Sequence, residues 1–358
     1  MADSTHARRC DGLRIRLDAG GADAFYSTHQ PTRAYLTGFF GTAGAVLVTP
    51  SERILFVDSR YTEQATRQAR AFDVRQVTAR CAGDVRRALP GGARLAIEAA
   101  HISIAEHYAL QDALAGCRLV PTRGLVEGMR LVKDPSEIAA IRRAVAVGDA
   151  AYVALLPQIH SGMTERDVAA LLEWEMRRGG GDGPSFHTIV ASGERGAMAH
   201  GVASGRRIRP GDAIVIDFGT WLDGYCSDLT RTIFADTMTK EHLTVLETVR
   251  AAQVAAIRCV RPGVTAGAVD AAARDLITRA GYGPRFGHGL GHGIGLDYHE
   301  APGIIPAADM RLAPGMVFSI EPGVYLPGKF GVRIEDIVLV TPYGHEVLSR
   351  APRGAVII

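Results

Sequence analysis

Four acidic residues of this chain close or interrupt apolar runs, where a carboxylate is costly unless it is paired or binds a cation. Asp217 follows Ala213-Ile-Val-Ile, and Glu321 follows Met316-Val-Phe-Ser-Ile. Asp228 lies in Tyr225-Cys-Ser-Asp-Leu-Thr-Arg-Thr-Ile-Phe234, which reads as one strand paired with the strand that carries Asp217. Glu335 lies beside Asp336 in Val332-Arg-Ile-Glu-Asp-Ile-Val-Leu-Val340. An ion pair with Arg231 or Arg333 would account for any one of these acids. Four of them in the strands of one domain point to a metal site.

The histidines sharpen that reading, since six of the twelve fall between His187 and His299. The run Phe286-Gly-His-Gly-Leu-Gly-His-Gly-Ile-Gly-Leu-Asp-Tyr-His-Glu300 has glycine at 287, 289, 291, 293 and 295. These glycines exclude a stable helix and clear space around His288 and His292. The run lacks the Gly-x-x-x-x-Gly-Lys-Ser/Thr pattern of a phosphate loop and the spacing of a dinucleotide fingerprint. One neutral imidazole with four carboxylates is oxygen-rich ligation. It suits two divalent ions (Mn²⁺, Co²⁺, Fe²⁺ or Zn²⁺) better than one tetrahedral structural zinc. Two dications also balance the four negative charges.

An internal repeat supplies the elements that must hold these groups. Gly162-Met-Thr164, Val168, Ala170 and Arg178-Gly-Gly180 match Gly263-Val-Thr265, Val269, Ala271 and Arg279-Ala-Gly281. Each copy reads as a threonine-capped helix ended by glycine. Downstream, Arg209-Pro-Gly leads to the strand ending at Asp217, and Ala313-Pro-Gly leads to the strand ending at Glu321. Two such helix–helix–strand halves facing each other would bring the two carboxylates together. Upstream, Asp134-Pro-Ser-Glu137 is a helix start, with Ile138, Ile141, Val145, Tyr152 and Leu156 following at helical spacing. Before it, Ala45–Val48 and Ile54–Val57 read as a hairpin, residues 62–71 as a helix and Leu95–Ile97 as a strand. This alternation predicts an α/β domain ending near residue 125.

Composition sets wider bounds. A chain of 358 residues with 47% apolar and 22% charged side chains is ordinary globular material of about two domains. No run approaches the roughly eighteen apolar residues of a membrane span, and the N-terminal sequence does not read as a secretory signal. A net charge of +2 gives no indication of nucleic acid. The five cysteines are scattered without a Cys-x-x-Cys pair, which argues against a disulfide framework or a cysteine zinc site. A reducing cytoplasm is the expected compartment.

Taken together, Ile-Asp-Phe-Gly, Ser-Asp-Leu-Thr-Arg-Thr, Gly-His-Gly-Ile-Gly-x-x-x-His-Glu, Ile-Glu-Pro-Gly and Arg-Ile-Glu-Asp resemble the pita-bread metallopeptidases (creatinase/methionine aminopeptidase-like). Within them the chain is similar to the Xaa-Pro aminopeptidase and Xaa-Pro dipeptidase (prolidase) branch. The resemblance implies residues 1–127 as an α/β, creatinase-type domain for substrate access and dimerisation. It implies residues 128–358 as an α+β pita-bread catalytic domain with a pseudo-two-fold repeat. The implied metal ligands are Asp217, Asp228, His292, Glu321 and Glu335, holding two divalent ions, manganese first among them. In the family a bridging hydroxide attacks the scissile carbonyl and the glutamate matching Glu321 shuttles its proton. His200 and His299 take catalytic places beside the leaving nitrogen and the tetrahedral intermediate. His288 and Arg333 belong to the substrate side of the site, the arginine orienting Glu335. Ala199 departs from the proline common before the histidine matching His200. His187 stands where an acidic or small residue is commoner, and it reads as a hydrogen-bonded structural residue.

The resemblance implies a cytoplasmic homodimer acting on peptides with proline in second position, without a nucleic-acid or membrane partner. A methionine aminopeptidase lacks the companion domain, and creatinase lacks the metal ligands. A non-catalytic binding protein of the same fold would also have lost ligands. A strict dipeptidase needs a cation for the free carboxylate of proline, yet no basic residue stands between His299 and Ala308, and Arg311 is the nearest. The expected activity is therefore an Xaa-Pro aminopeptidase, with the dipeptidase as the alternative.

Overall fold

The computed structural model describes residues 2–78 and 81–358. The chain forms two compact units, Met1–Arg130 and Leu131–Ile358. The N-terminal unit contains helices α1 (Ala2–Ala19), α2 (Gln30–Thr37), α3 (Thr62–Gln68), α4 (Ala82–Ala88), α5 (Ile104–Ala113) and α6 (Glu127–Arg130). Its strands are β1 (Ala24–Ser27), β2 (Ala45–Val48), β3 (Arg53–Val57), β4 (Asp73–Gln76), β5 (Arg94–Glu98) and β6 (Arg118–Thr122). They make one mixed sheet in the order β4-β3-β2-β1-β5-β6. The predicted β2–β3 hairpin is present, with Ala45 opposite Phe56 and Val48 opposite Arg53. The helix expected over 62–71 stops at Gln68, because Ala69 leaves helical geometry at φ −97° and ψ 51°.

The C-terminal unit opens with α7 (Pro135–Leu155), which starts where the sequence predicts. The Asp134 carboxylate accepts from the Ser136 and Glu137 amides at 2.8 and 3.0 Å, and Glu137 accepts in return from the Asp134 amide. This is a reciprocal capping box. The other helices are α8 (Glu165–Arg178), α9 (Lys240–Cys259) and α10 (Ala266–Arg279). In the first half the strands are β7 (Gly183–Pro184), β8 (Ile189–Ser192), β9 (Ala213–Phe218), β10 (Thr220–Leu222), β11 (Tyr225–Cys226) and β12 (Leu229–Phe234). In the second half they are β13 (Gly291–Gly293), β14 (Glu300–Ile304), β15 (Val317–Ile320), β16 (Gly323–Leu326), β17 (Phe330–Arg333), β18 (Asp336–Thr341) and β19 (Gly344–Val347).

The predicted duplication is visible in three dimensions. Thr164 caps α8 and Thr265 caps α10, each accepting from the amide three residues on. The two threonines also form matching bridges, Thr164 with Arg207 and Thr265 with Arg311. The sheet β12-β9-β8 in the first half corresponds to the β18-β15-β13 part of the second. Side-chain alternation then decides what each central strand presents. Ile214, Ile216 and Phe218 of β9 pack with Tyr152 and Leu172 of the helices, and Phe318 and Ile320 of β15 pack with Val249, Val269 and Ile277. Asp217 consequently falls on the opposite face of its sheet. Ser319 and Glu321 fall together, and the Ser319 hydroxyl donates to Glu321 at 3.0 Å.

Candidate metal centre

Asp217, Asp228, His292, Glu321 and Glu335 line one cavity of about 390 Å³ in the C-terminal unit, with His200, His288, His299 and Arg333 also on its walls. β9 delivers Asp217, and its partner β12 pairs Thr230 with Asp217, as expected. The strand predicted over 225–234 is broken at Ser227 and Asp228, between β11 and β12. Glu335 likewise lies in a break between β17 and β18, and Glu321 just beyond β15. Three of the four carboxylates thus stand where the ladder is interrupted. A side chain leaving the sheet's regular alternation can aim at a shared centre.

The glycine run forms no helix. It supplies β13, whose register shifts between His292 and Gly293. A Cβ at Gly291 would lie 2.0 Å from the Ser319 carbonyl oxygen, and one at Gly293 would lie 2.1 Å from that of Ala301. The glycines at these positions let the backbone approach closely enough to bring His292 against Glu321.

One ligand atom each from Asp228, His292 and Glu335 lie within 4.8 Å of one another. Glu321 adjoins this group through a 3.2 Å contact with His292 Nε2, while Asp228 lies 3.7 Å from the same nitrogen. Asp217 flanks it, with Oδ2 accepting from Arg333 at 2.5 Å. Glu335 Oε2 accepts from the Thr230 hydroxyl at 2.8 Å. The opposite oxygens, Asp217 Oδ1, Asp228 Oδ1 and Glu335 Oε1, are buried without any hydrogen-bond partner. Such orphans are rare in folded proteins and call for an explanation.

Burial, with the charges of Glu335, Asp217 and Glu321 around it, raises the Asp228 carboxyl well above its usual range. Burial with the charges of Glu321 and Asp217 does the same to Glu335. Burial would also raise Glu321, but its hydrogen bond and charge contact with His292 outweigh it and hold Glu321 at about 2. Conversely, burial would lower His292, and Glu321 lifts it to about 9. The acids repel one another, and only Glu321 and Asp217 have a local counter-charge, from His292 and Arg333. A hard oxygen-and-imidazole donor set with inward-facing orphaned oxygens fits divalent cations.

Two readings of the arginines change. Arg231 pairs with Asp336 at 2.8 Å, both being buried, so Asp336 is not part of the acidic group lining the cavity. Arg333 meets Asp217 directly. It reaches Glu335 only through Thr230, whose hydroxyl accepts from Arg333 Nε at 3.1 Å and donates to Glu335. The reason is register: β17 ends at Arg333 alongside Thr230 and Thr232 of β12, which places the guanidinium over the strand bearing Asp217. Tyr325 is a partner that sequence reasoning missed. Its hydroxyl joins His288 Nε2 at 2.9 Å and accepts from Arg333 at 2.7 Å. Its place in Glu-Pro-Gly-Val-Tyr gives no chemical signal by itself. His187 is not the hydrogen-bonded structural residue expected: it is exposed on the cavity wall and its ring has no hydrogen-bond partner among the described residues. His299 packs on His292 with ring centroids 3.8 Å apart. Burial and the neighbouring His292 lower it to about 4.

Residues 139–342 match the metallopeptidase family M24, and residues 9–132 match the creatinase/prolidase N-terminal domain. The Xaa-Pro dipeptidase from Bacillus anthracis superposes with a TM-score of 0.95 and 38% identity, over 99% of this chain and 100% of that one. The X-Pro aminopeptidase from Thermotoga maritima gives 0.89 and 37%, over 94% and 98%. The Xaa-Pro dipeptidase of Pyrococcus horikoshii is 35% identical over 339 residues, covering 94% of this chain and 95% of that protein.

Proposed function

The chain belongs to metallopeptidase family M24, and from that premise we propose that it is an Xaa-Pro dipeptidase working with two divalent metal ions. The observation that carries the metal-dependent part is the set of orphaned buried oxygens of Asp217, Asp228 and Glu335 beside the His292–Glu321 pair. Relatives named Xaa-Pro dipeptidase over nearly the whole length support the dipeptidase reading above the aminopeptidase expected from the sequence. The aminopeptidase reading keeps one specific support, the similarity to the X-Pro aminopeptidase from Thermotoga maritima.

In this reading Asp217, Asp228, His292, Glu321 and Glu335 hold the metal. When bound, the ions supply Lewis acidity and lower the pKa of water to near neutrality. The protein's own groups do the remaining work. Glu321 accepts a proton from the attacking water and passes it to the leaving proline nitrogen. His299 donates a hydrogen bond to the carbonyl oxygen as negative charge develops on it, and His200 donates beside the leaving nitrogen. Arg333 fixes one oxygen of Asp217 and leaves the other facing the cavity. Phe186 and Tyr298, whose rings lie 5.5 Å apart, together with Ile189, Val202 and Ile305, offer apolar wall for a pyrrolidine ring. The resemblance further supports manganese as the working ion, a cytoplasmic homodimer, and residues 1–127 as the access domain.

The test compares turnover of Ala-Pro with that of Ala-Pro-Ala by the manganese-loaded protein. A dipeptidase cleaves the first and leaves the second intact. Equal cleavage of both returns the reading to the aminopeptidase, and hydrolysis that survives exhaustive chelation sinks the metal mechanism altogether.

A further inference from the structure

A dipeptide ending in proline carries a free carboxylate on the carbon next to its ring nitrogen. A site that prefers it to a longer peptide needs a donor for that anion beside the pyrrolidine wall. The guanidinium on the cavity wall, Arg333, is already committed to Asp217, Tyr325, Thr230 and the Ala199 carbonyl. Arg311, the nearest basic residue after His299 in sequence, donates to the Gly263 carbonyl and is not on the cavity wall. Among the described lining residues the remaining side-chain donors are the Tyr298 hydroxyl, at the outer wall, and the imidazoles.

Four of the five are accounted for. His288 bonds Tyr325 and the Gly289 carbonyl. His292 bonds Glu321 and the Gly293 carbonyl. His299 packs on His292, and His200 is close enough to His299 to act on its charge state. These two therefore stand over the acidic cluster, where the scissile bond must lie. His200, His299 and His187 are all exposed with no ring hydrogen bond among the described residues, and what sets His187 apart is its place between Phe186 and Ile189 of the apolar wall. The local backbone explains its direction. The Thr188 hydroxyl turns away to donate to Glu173 of α8 at 2.8 Å. Residues 186, 187 and 189 line the cavity on the other side. His187 is also bracketed by Phe186 and Ile189, which form part of the apolar wall.

We infer that His187 is a specificity-determining residue: an imidazole N–H of His187 donates to the free carboxylate of a C-terminal proline whose ring lies against Phe186 and Ile189. This inference rests on the Xaa-Pro dipeptidase reading. It explains how a dipeptide is recognised by a chain with no arginine between His299 and Ala308. It also assigns a task to a cavity histidine whose ring has no hydrogen-bond partner among the described residues.

The experiment measures KM for Ala-Pro and for its C-terminal amide, with inhibition by free proline and by prolinamide, on the manganese-loaded full chain. For His187→Ala, KM for Ala-Pro divided by KM for the amide should rise about tenfold or more, the loss expected for one hydrogen bond to a charged group. Inhibition by proline should weaken relative to prolinamide by a similar factor, and His187→Arg should restore both ratios. Ratios that match the wild type in His187→Ala overturn the inference, even if the wild type still prefers dipeptides. If the wild-type protein cleaves Ala-Pro and Ala-Pro-Ala alike, the dipeptidase reading falls and the inference with it. His187→Ala destroying activity on both substrates in parallel overturns the inference too, because a carboxylate contact cannot act on the amide.

Discussion

The N-terminal unit contains a cavity of about 970 Å³, and the C-terminal unit one of about 390 Å³. Both carry acids, but in the larger cavity the acids have partners. Asp58 accepts from Arg60 at 2.7 and 3.0 Å, and Glu106 accepts from the hydroxyls of Tyr26 and Thr28 at 3.3 and 3.2 Å. On the walls of the smaller cavity three acids each have a buried carboxylate oxygen with no hydrogen-bond partner among the described residues. Burial and mutual repulsion push the Asp228 and Glu335 carboxyls well above their usual range. Volume therefore does not mark the reacting site here. Unsatisfied buried charge does, because a fold retains such a cost only where something else answers it.

The comparison breaks most readily at Asp228 and His292. Asp228→Ala or His292→Ala should lower kcat/KM for Ala-Pro at least about a thousandfold, or ~4 kcal/mol of transition-state stabilisation, and reduce bound metal in elemental analysis. Full activity in either variant would remove the smaller cavity's claim to the chemistry.

A second, more moderate effect separates the two cavities by sign. Groups whose pKa is raised by folding contribute stability below their unfolded value and lose it as pH rises through the folded one. Asp228 and Glu335 are raised by burial and mutual repulsion, and His292 is lifted by Glu321 to about 9. The depressed Glu321 acts the other way, but its contribution is already present above its ordinary value of about 4.5 and is lost only as pH falls towards 2. The lowered His299 offsets this up to about pH 6.5, because its contribution grows as pH rises from 4, so the metal-stripped protein should lose melting temperature most clearly between about pH 7 and pH 9. Asp228→Asn, which removes one repelling charge, should raise the melting temperature of the stripped protein and flatten the slope, and added Mn²⁺ should flatten the wild type. Identical slopes for the stripped wild type and variant would show that the acids do not repel as described.

The smallest change is expected in the larger cavity. Glu106→Ala removes an acceptor from Tyr26 and Thr28 and should cost about 1 kcal/mol in chemical denaturation. Its kcat/KM on Ala-Pro should stay within about twofold of wild type, as for a substitution away from the reacting groups. A loss approaching that of Asp228→Ala would place chemistry in the N-terminal unit and undo the contrast.

Much of the scaffold was legible because it rests on short-range rules. Asp134-Pro-Ser-Glu137 caps α7 through contacts within four residues, and Thr164 and Thr265 repeat a cap that any local reading detects. β2 and β3 appear with the predicted bounds to within one residue, since an apolar run between turn residues has few alternatives. Helix α1 escaped notice although Cys10, Leu13 and Leu17 are buried at helical spacing, because its remaining residues are mostly polar. The breaks at Asp228 and Glu335 were not legible either. Both lie in continuous β-rich runs, and only pairing across the two halves, where the Glu335 amide donates to the Thr230 carbonyl at 3.1 Å, shows that the ladder is interrupted.

By itself, the sequence determined which residue types could act, that they belong to a duplicated unit, and that their number suits metal more than ion pairs. These follow from composition, spacing and local capping, which need no knowledge of what lies across a sheet. The tertiary structure alone decided the partners. Arg231 went to Asp336 and Arg333 to Asp217, Tyr325 joined His288, and His187 was left with none among the described residues. Strand register and burial set those pairings across separations of 37 to 116 residues, and a linear pattern carries no distance on that scale.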